Sequence, residues 1–136
     1  MNRFMGIDYG ERRIGISISD PLNIFAKPLK TIDRKITPNF IEEIKSTIRE
    51  YSINKIVIGL PLNMKGKDST QTIKVRKFIE YFKSQIQIPV YTCDERLSSK
   101  SAEDSLKFLN KSPSKNKEKI DSIAATIILQ EFIDSD

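Results

Sequence analysis

Apolar and polar positions alternate from Ile14 to Ser19, with Ile14, Ile16 and Ile18 set against Gly15, Ser17 and Ser19. Period two marks a strand with one buried face. An apolar run over 3–8 precedes it, and the polar link "YGERR" between them suits a hairpin loop containing a glycine. "NIFAKPLKTI", 23–32, reads as a third strand, edged or interrupted at Pro28. Three strands with short links predict an antiparallel meander. The period then lengthens. Either Thr37 caps a helix with Pro38 at its first position, or Asn39 caps it with Glu42 reaching back. Phe40, Ile44, Ile48 and Tyr51 share one face of that helix. The unbroken run Ile56, Val57, Ile58 fits a strand covered on both faces.

Asp68, with Gln71 three residues on, resembles a second helix start, and Ile73, Val75, Phe78, Ile79 and Phe82 suit its buried stripe. "IPVYTC", 88–93, is another short strand, and Ser98 or Ser99 can cap a third helix with Ala102 and Leu106 inward. In the last helix Ile120, Ile123, Ala124, Ile127, Ile128 and Phe132 share a face. Ile123, Ile127 and Ile128 are expected to be buried against the sheet. The order β-β-β-α-β-α-β-α-α predicts an α/β fold. Its mixed sheet has an antiparallel three-strand edge, right-handed crossovers and helices on both faces. One domain, residues 1–136, is expected.

Composition narrows the chemistry. The 136 residues include no histidine and one cysteine, Cys93. Serine–histidine and cysteine–histidine nucleophile systems are excluded, as are an intrachain disulfide and a four-thiolate zinc site. Acid–base work falls to carboxylates, lysine, tyrosine or metal-activated water. The net charge of +5 favours an anionic partner, nucleic acid first, although lysines kept for solubility give the same number. No apolar run approaches a membrane span, and the first residues lack a signal peptide's apolar core. A cytoplasmic location is therefore expected. "NKSPSKNKEK", 110–119, is rich in turn-formers and reads as an exposed loop. It is either a solvated connection or a basic arm in which Lys115, Lys117 and Lys119 meet an acidic ligand.

Three carboxylates stand at element ends. Asp8 closes the first strand, Glu95 follows "VYTC", and Asp121 stands at the beginning of the last helix. Open sheets bind ligands beyond the C-terminal ends of their strands, so the three can converge there. Clustered carboxylates repel one another, and a hard divalent cation, Mg²⁺ or Mn²⁺, resolves the conflict. Each residue also has a plainer reading. Asp8 can be a turn-former. Glu95 can pair with Arg96 or Arg76, and Asp121 can be a first-turn aspartate favoured by the helix dipole. Arg12 and Arg13, beside the Asp8 turn, can steer a phosphate or be solvated. Asn63, after the "GLPL" turn, can contact a nucleic-acid backbone or a neighbouring loop.

Four stretches, "GIDYGERRIGISISD", "IVIGLPLNMKG", "DERLSS" and "KIDSIAATIILQEFI", together resemble the bacterial ribonuclease H-like nucleases known as pre-16S rRNA nucleases and Holliday junction resolvases. The resemblance spans nearly the whole chain. It implies a ribonuclease H-like fold and a divalent-metal nuclease acting in 5′-end maturation of 16S rRNA, with precursor rRNA or branched DNA as substrate and an association with the ribosome. It also implies that the family's three acidic positions fall on Asp8, Glu95 and Asp121. One departure stands out, since the family segment before the last helix is rich in arginine and glycine and here carries only lysine. Lysine attracts phosphate without the two-pronged contact of arginine. A monomer or weak homodimer is expected. Two other classes compete: a non-catalytic ribosome-associated binding factor, and an ATP-binding protein of the actin and sugar-kinase type. The chain is too short to supply the second lobe of the latter.

Overall fold

The computed structural model describes residues 2–62, 65–94 and 117–135, with side chains of the last segment from Ile120 onward. Five strands form one sheet: β1 (Arg3–Tyr9), β2 (Arg13–Ser19), β3 (Ala26–Asp33), β4 (Ile53–Leu60) and β5 (Val90–Asp94), in the order β3-β2-β1-β4-β5. β1 and β2 pair antiparallel, as do β2 and β3, whereas β4 runs parallel to both β1 and β5. This is the mixed sheet with an antiparallel edge that the residue pattern predicts. The third strand starts at Ala26, later than 23–32 implies. Asp20 accepts from the backbone N–H groups of Leu22, Ile24 and Phe25 and holds that stretch as a turn. Opposite Pro28 the β2–β3 register shifts between Ile16 and Ser17, where the missing N–H interrupts the ladder.

α1 (Phe40–Tyr51) and α2 (Thr70–Gln85) cover one sheet face. Met5, Ile7, Ile14, Ile16, Ile18, Ile56 and Ile58 form the main core there, with Ile44, Val75, Phe78 and Phe82 from the helices. Asn39 is the N-cap of α1 but makes no side-chain capping bond. Ser69, not Asp68, caps α2: its hydroxyl accepts from the Thr72 N–H at 3.2 Å while Thr72 Oγ1 accepts from the Ser69 N–H at 2.9 Å. Asp68 takes a two-pronged bond from Arg76 instead, at 2.8 and 3.0 Å. Ile73, expected inside, is 49% exposed, because Thr72 and Val75 hold the inward positions of that turn.

α3 (Lys117–Asp134) covers the other face, over a smaller cluster of Val57, Ile128 and Leu129 bordered by Phe4, Cys93 and Phe132. The helix is turned relative to the expected stripe. Ala124, Ala125, Ile128 and Leu129 are fully buried, while Ile123 and Ile127 are only partly so. Glycines on the sheet let the small Ala125 lead the contact, and a bulkier stripe would hold the helix off. Ile128→Ala is expected to cost ~2–5 kcal/mol, and Ile73→Ala less than about 0.5 kcal/mol, because only the first leaves a cavity. Equal melting temperatures for the two variants in thermal unfolding would overturn this placement.

Candidate nuclease site

Alternation along β1 sends Met5, Ile7 and Tyr9 toward α1 and α2, and Phe4, Gly6 and Asp8 toward α3. Asp8 pairs with Gly15 in the β1–β2 ladder. Gly15 faces α3 with nothing in between. A Cβ built there would overlap the carbonyl oxygen of Asp121 and lie 2.9 Å from the Ser122 nitrogen. Gly6, lower on β1, admits the helix in the same way: a Cβ there would stand 2.7 Å from the Ala125 carbonyl oxygen and 2.8 Å from Leu129 Cβ. Ser17 completes the seam, its hydroxyl donating to the Ala125 carbonyl at 2.7 Å. The helix backbone thus rests directly on the hairpin, and Asp8 and Asp121 become neighbours of one glycine.

Arg13, on the same face of β2, donates from Nε to Asp121 Oδ2 at 3.0 Å, with each side chain about one quarter exposed (25% and 24%). Arg13, one of the two arginines expected either to steer a phosphate or to be solvated, therefore lies at the corner, held on a carboxylate. Asp121 is the fifth residue of α3, not part of its first turn. The dipole fades within the first turn, so Arg13 is its evident electrostatic partner. At the same sheet edge the parallel strands end together. Ile7 aligns with Ile58 and Ile58 with Thr92, and Asp94 closes β5 beside Leu60. Carboxylate oxygens beside an exposed strand end suit a hard cation. Among the described residues, no three acidic, histidine or cysteine groups come together as a metal cluster.

Glu95, Asn63 and Lys115 lie outside the described residues. Arg76, one suggested partner of Glu95, is engaged by Asp68. Lys117 and Lys119 belong to the first turn of α3, not to a loop, since "KEKI" is made of good helix formers and extends the helix before Asp121. The "GLPL" turn is tied down locally: the Pro61 carbonyl accepts from Thr72 Oγ1 at 2.5 Å and Ser69 Oγ at 3.4 Å. Arg12 is 59% exposed and 3.6 Å from Asp33. The N–H of Lys35, then the Arg12 charge, hold the Asp33 carboxyl below the usual range.

The residue pattern did not reveal a second feature, on the α1/α2 side of the same edge. Tyr9 stacks on Phe78 with ring centroids 3.9 Å apart and planes 12° from parallel. The Arg34 guanidinium lies 5.0 Å from the Tyr9 centroid and 4.9 Å from that of Phe40. It also donates to the carbonyls of Gly10 and Glu11 at 3.1 and 3.0 Å. Glu11 pairs with Lys74 of α2, whose hydrogen bond and charge hold its carboxyl below the usual range. An open groove of about 420 Å³ lies over these rings.

The sheet order, the antiparallel edge and the last helix packed on β1 and β2 define a ribonuclease H-like α/β fold. Thermus thermophilus RuvC in complex with a Holliday junction shares the fold, with a TM-score of 0.57 at 12% identity over 99% of this chain and 95% of that one. The fowlpox virus Holliday junction resolvase does so with a TM-score of 0.55 at 17% identity over 98% and 99%. The match to the family model "RuvX: Holliday junction resolvase" runs over residues 2–135, and the chain belongs to that family. Relatives named "Putative pre-16S rRNA nuclease" include those of Clostridioides difficile strain 630 and Clostridium novyi strain NT. The first is 46% identical over 97% of this chain and 94% of the relative, the second 40% over 98% of each.

Proposed function

We propose that this protein is a divalent-metal-dependent endonuclease that matures the 5′ end of precursor 16S rRNA in the cytoplasm, with Asp8, Glu95 and Asp121 holding Mg²⁺ or Mn²⁺. The observation that carries the reading is the shared glycine: Asp8 sits opposite Gly15 in the ladder, and Asp121 rests on that same Gly15. Glu95 is the next residue after Asp94, which ends β5 at the same edge. Hard oxygen donors with no sulfur or imidazole among them fit these ions. When bound, such an ion neutralises phosphate charge and makes water nucleophilic at neutral pH. Arg13 orients the Asp121 carboxylate through its 3.0 Å hydrogen bond, and Arg12 adds positive charge beside the edge. Lys115, Lys117, Lys119 and Asn63 serve as sequence-independent backbone contacts. The relatives' names favour precursor 16S rRNA as substrate.

The family description favours a second reading, in which the substrate is a four-way DNA junction. Purified protein offered precursor 16S rRNA and a DNA junction, each with Mn²⁺ and with EDTA, separates the readings. Metal-dependent shortening of the rRNA alone is the expected result. Cutting of the junction alone would establish the second reading. Cutting of neither would leave a binding factor without catalysis.

A further inference from the structure

The structure assigns a second nucleic-acid subsite to the aromatic groove over Tyr9 and Phe78: we infer that it takes a single-stranded stretch of substrate flanking the cut. This deepens the nuclease reading and rests on it. Asp8 and Tyr9 are consecutive on β1 and face opposite sides of the sheet, so the acidic corner and the groove share one strand end. A strand crossing that edge at Asp8 has its next nucleotides over the Gly10–Arg12 loop and then the groove.

The lining matches that ligand and no other macromolecule as well. Its floor is the stacked Tyr9–Phe78 pair, with Phe40 beside it. Tyr81 stands at the rim, 53% exposed. Lys74, Lys77 and Arg34 surround the rings. The adjoining groove, which shares Glu11, Arg34 and Phe40, adds Arg12 and Lys35. Among the described residues, Glu11 is the one acid along this lining, and Lys74 neutralises it. An exposed aromatic ring beside cations is what unpaired nucleotides bind: the floor rings shape and support the groove, a base stacks on Tyr81, and its phosphate meets Lys77. An apolar peptide would desolvate these charges at a cost, and an acidic peptide would leave the exposed Tyr81 ring unused. The volume of about 420 Å³ accommodates a base with its sugar.

The test is binding of a fluorescein-labelled RNA hexanucleotide, its DNA counterpart and an abasic hexanucleotide, all in EDTA and with the Asp8→Asn protein, so that no cleavage intervenes. Tyr81→Ala is expected to raise Kd for both base-bearing hexamers about tenfold and to leave abasic binding unchanged, because stacking is sequence-tolerant and needs a base. Tyr81→Phe restores the wild-type value. Lys77→Gln is expected to flatten the slope of log affinity against log salt by about 0.7. Both side chains are exposed, so melting temperatures stay at wild type. Unchanged Kd and salt slope in Tyr81→Ala and Lys77→Gln would overturn the subsite. Equal binding of abasic and base-bearing hexamers would do the same. Loss of hexamer affinity in these variants, together with wild-type protein that cuts neither precursor rRNA nor a DNA junction in Mn²⁺, would instead refute the nuclease reading and leave the groove standing.

Discussion

Asp8→Asn is expected to leave a folded protein that still binds nucleic acid and no longer cuts it. The substitution changes one oxygen to nitrogen, so volume and strand geometry persist while the charge offered to a cation falls. Residues that merely support a metal ligand typically contribute about 10–100-fold, so removing a ligand is expected to lower kcat/KM by about 10²-fold or more. Asp121→Asn should fall as far for a partly different reason, since it also releases Arg13. That pair is only partly buried, so its stability contribution is at most about 1 kcal/mol, and a much larger loss of cleavage cannot come from unfolding. A cleavage time course with melting curves and binding titrations checks both variants. Full cleavage by Asp8→Asn would remove Asp8 from the chemistry.

Gly15→Ala is expected to be as damaging to cleavage although Gly15 carries no functional group. Its added methyl occupies the space of the Asp121 carbonyl, which is backbone and cannot rotate away. α3 must therefore lift or slide, and overpacking of this kind costs typically ~1–3 kcal/mol. The displacement falls on the residue that carries the carboxylate. The expected signature is a lowered melting temperature together with cleavage lost beyond the unfolded fraction, measured well below the melting point. Wild-type melting and wild-type cleavage in Gly15→Ala would show that the helix does not dock on this glycine.

The strand pattern was legible because Ile14, Ile16 and Ile18 alternate against residues small enough to admit a helix. The same small residues were illegible as contacts, since Gly6 and Gly15 show their meaning only when Asp121 and Ala125 arrive from more than 100 residues away. The facing of α3 departs from its isoleucine stripe for the same reason. Isoleucines outrank alanine by hydrophobicity, but contact distance to the glycines decides in favour of Ala125. At α2 the acidic Asp68 mimics a cap, while the Ser69–Thr72 exchange uses two hydroxyls that carry no charge signal. Tyr9 resembles a turn residue in the sequence because its partner Phe78 lies on a later helix. Asp8 and Asp121 stood out because carboxylates at element ends without a histidine leave few other chemistries.

The docking of α3 on the first hairpin also sets an order of events. Arg13 and Asp121 are 108 residues apart, as are Ser17 and Ala125, so the acidic corner is assembled from the two extremes of the described chain. The hairpin forms from local contacts, whereas this closure joins segments far apart in sequence, a kind of contact that slows folding. Synthesis from the N-terminus sharpens the delay, because Asp8 leaves the ribosome well before α3 has been made. A nascent chain held at that stage exposes Gly6, Gly15 and Ser17 without the helix that covers them, and it lacks one carboxylate of the pair.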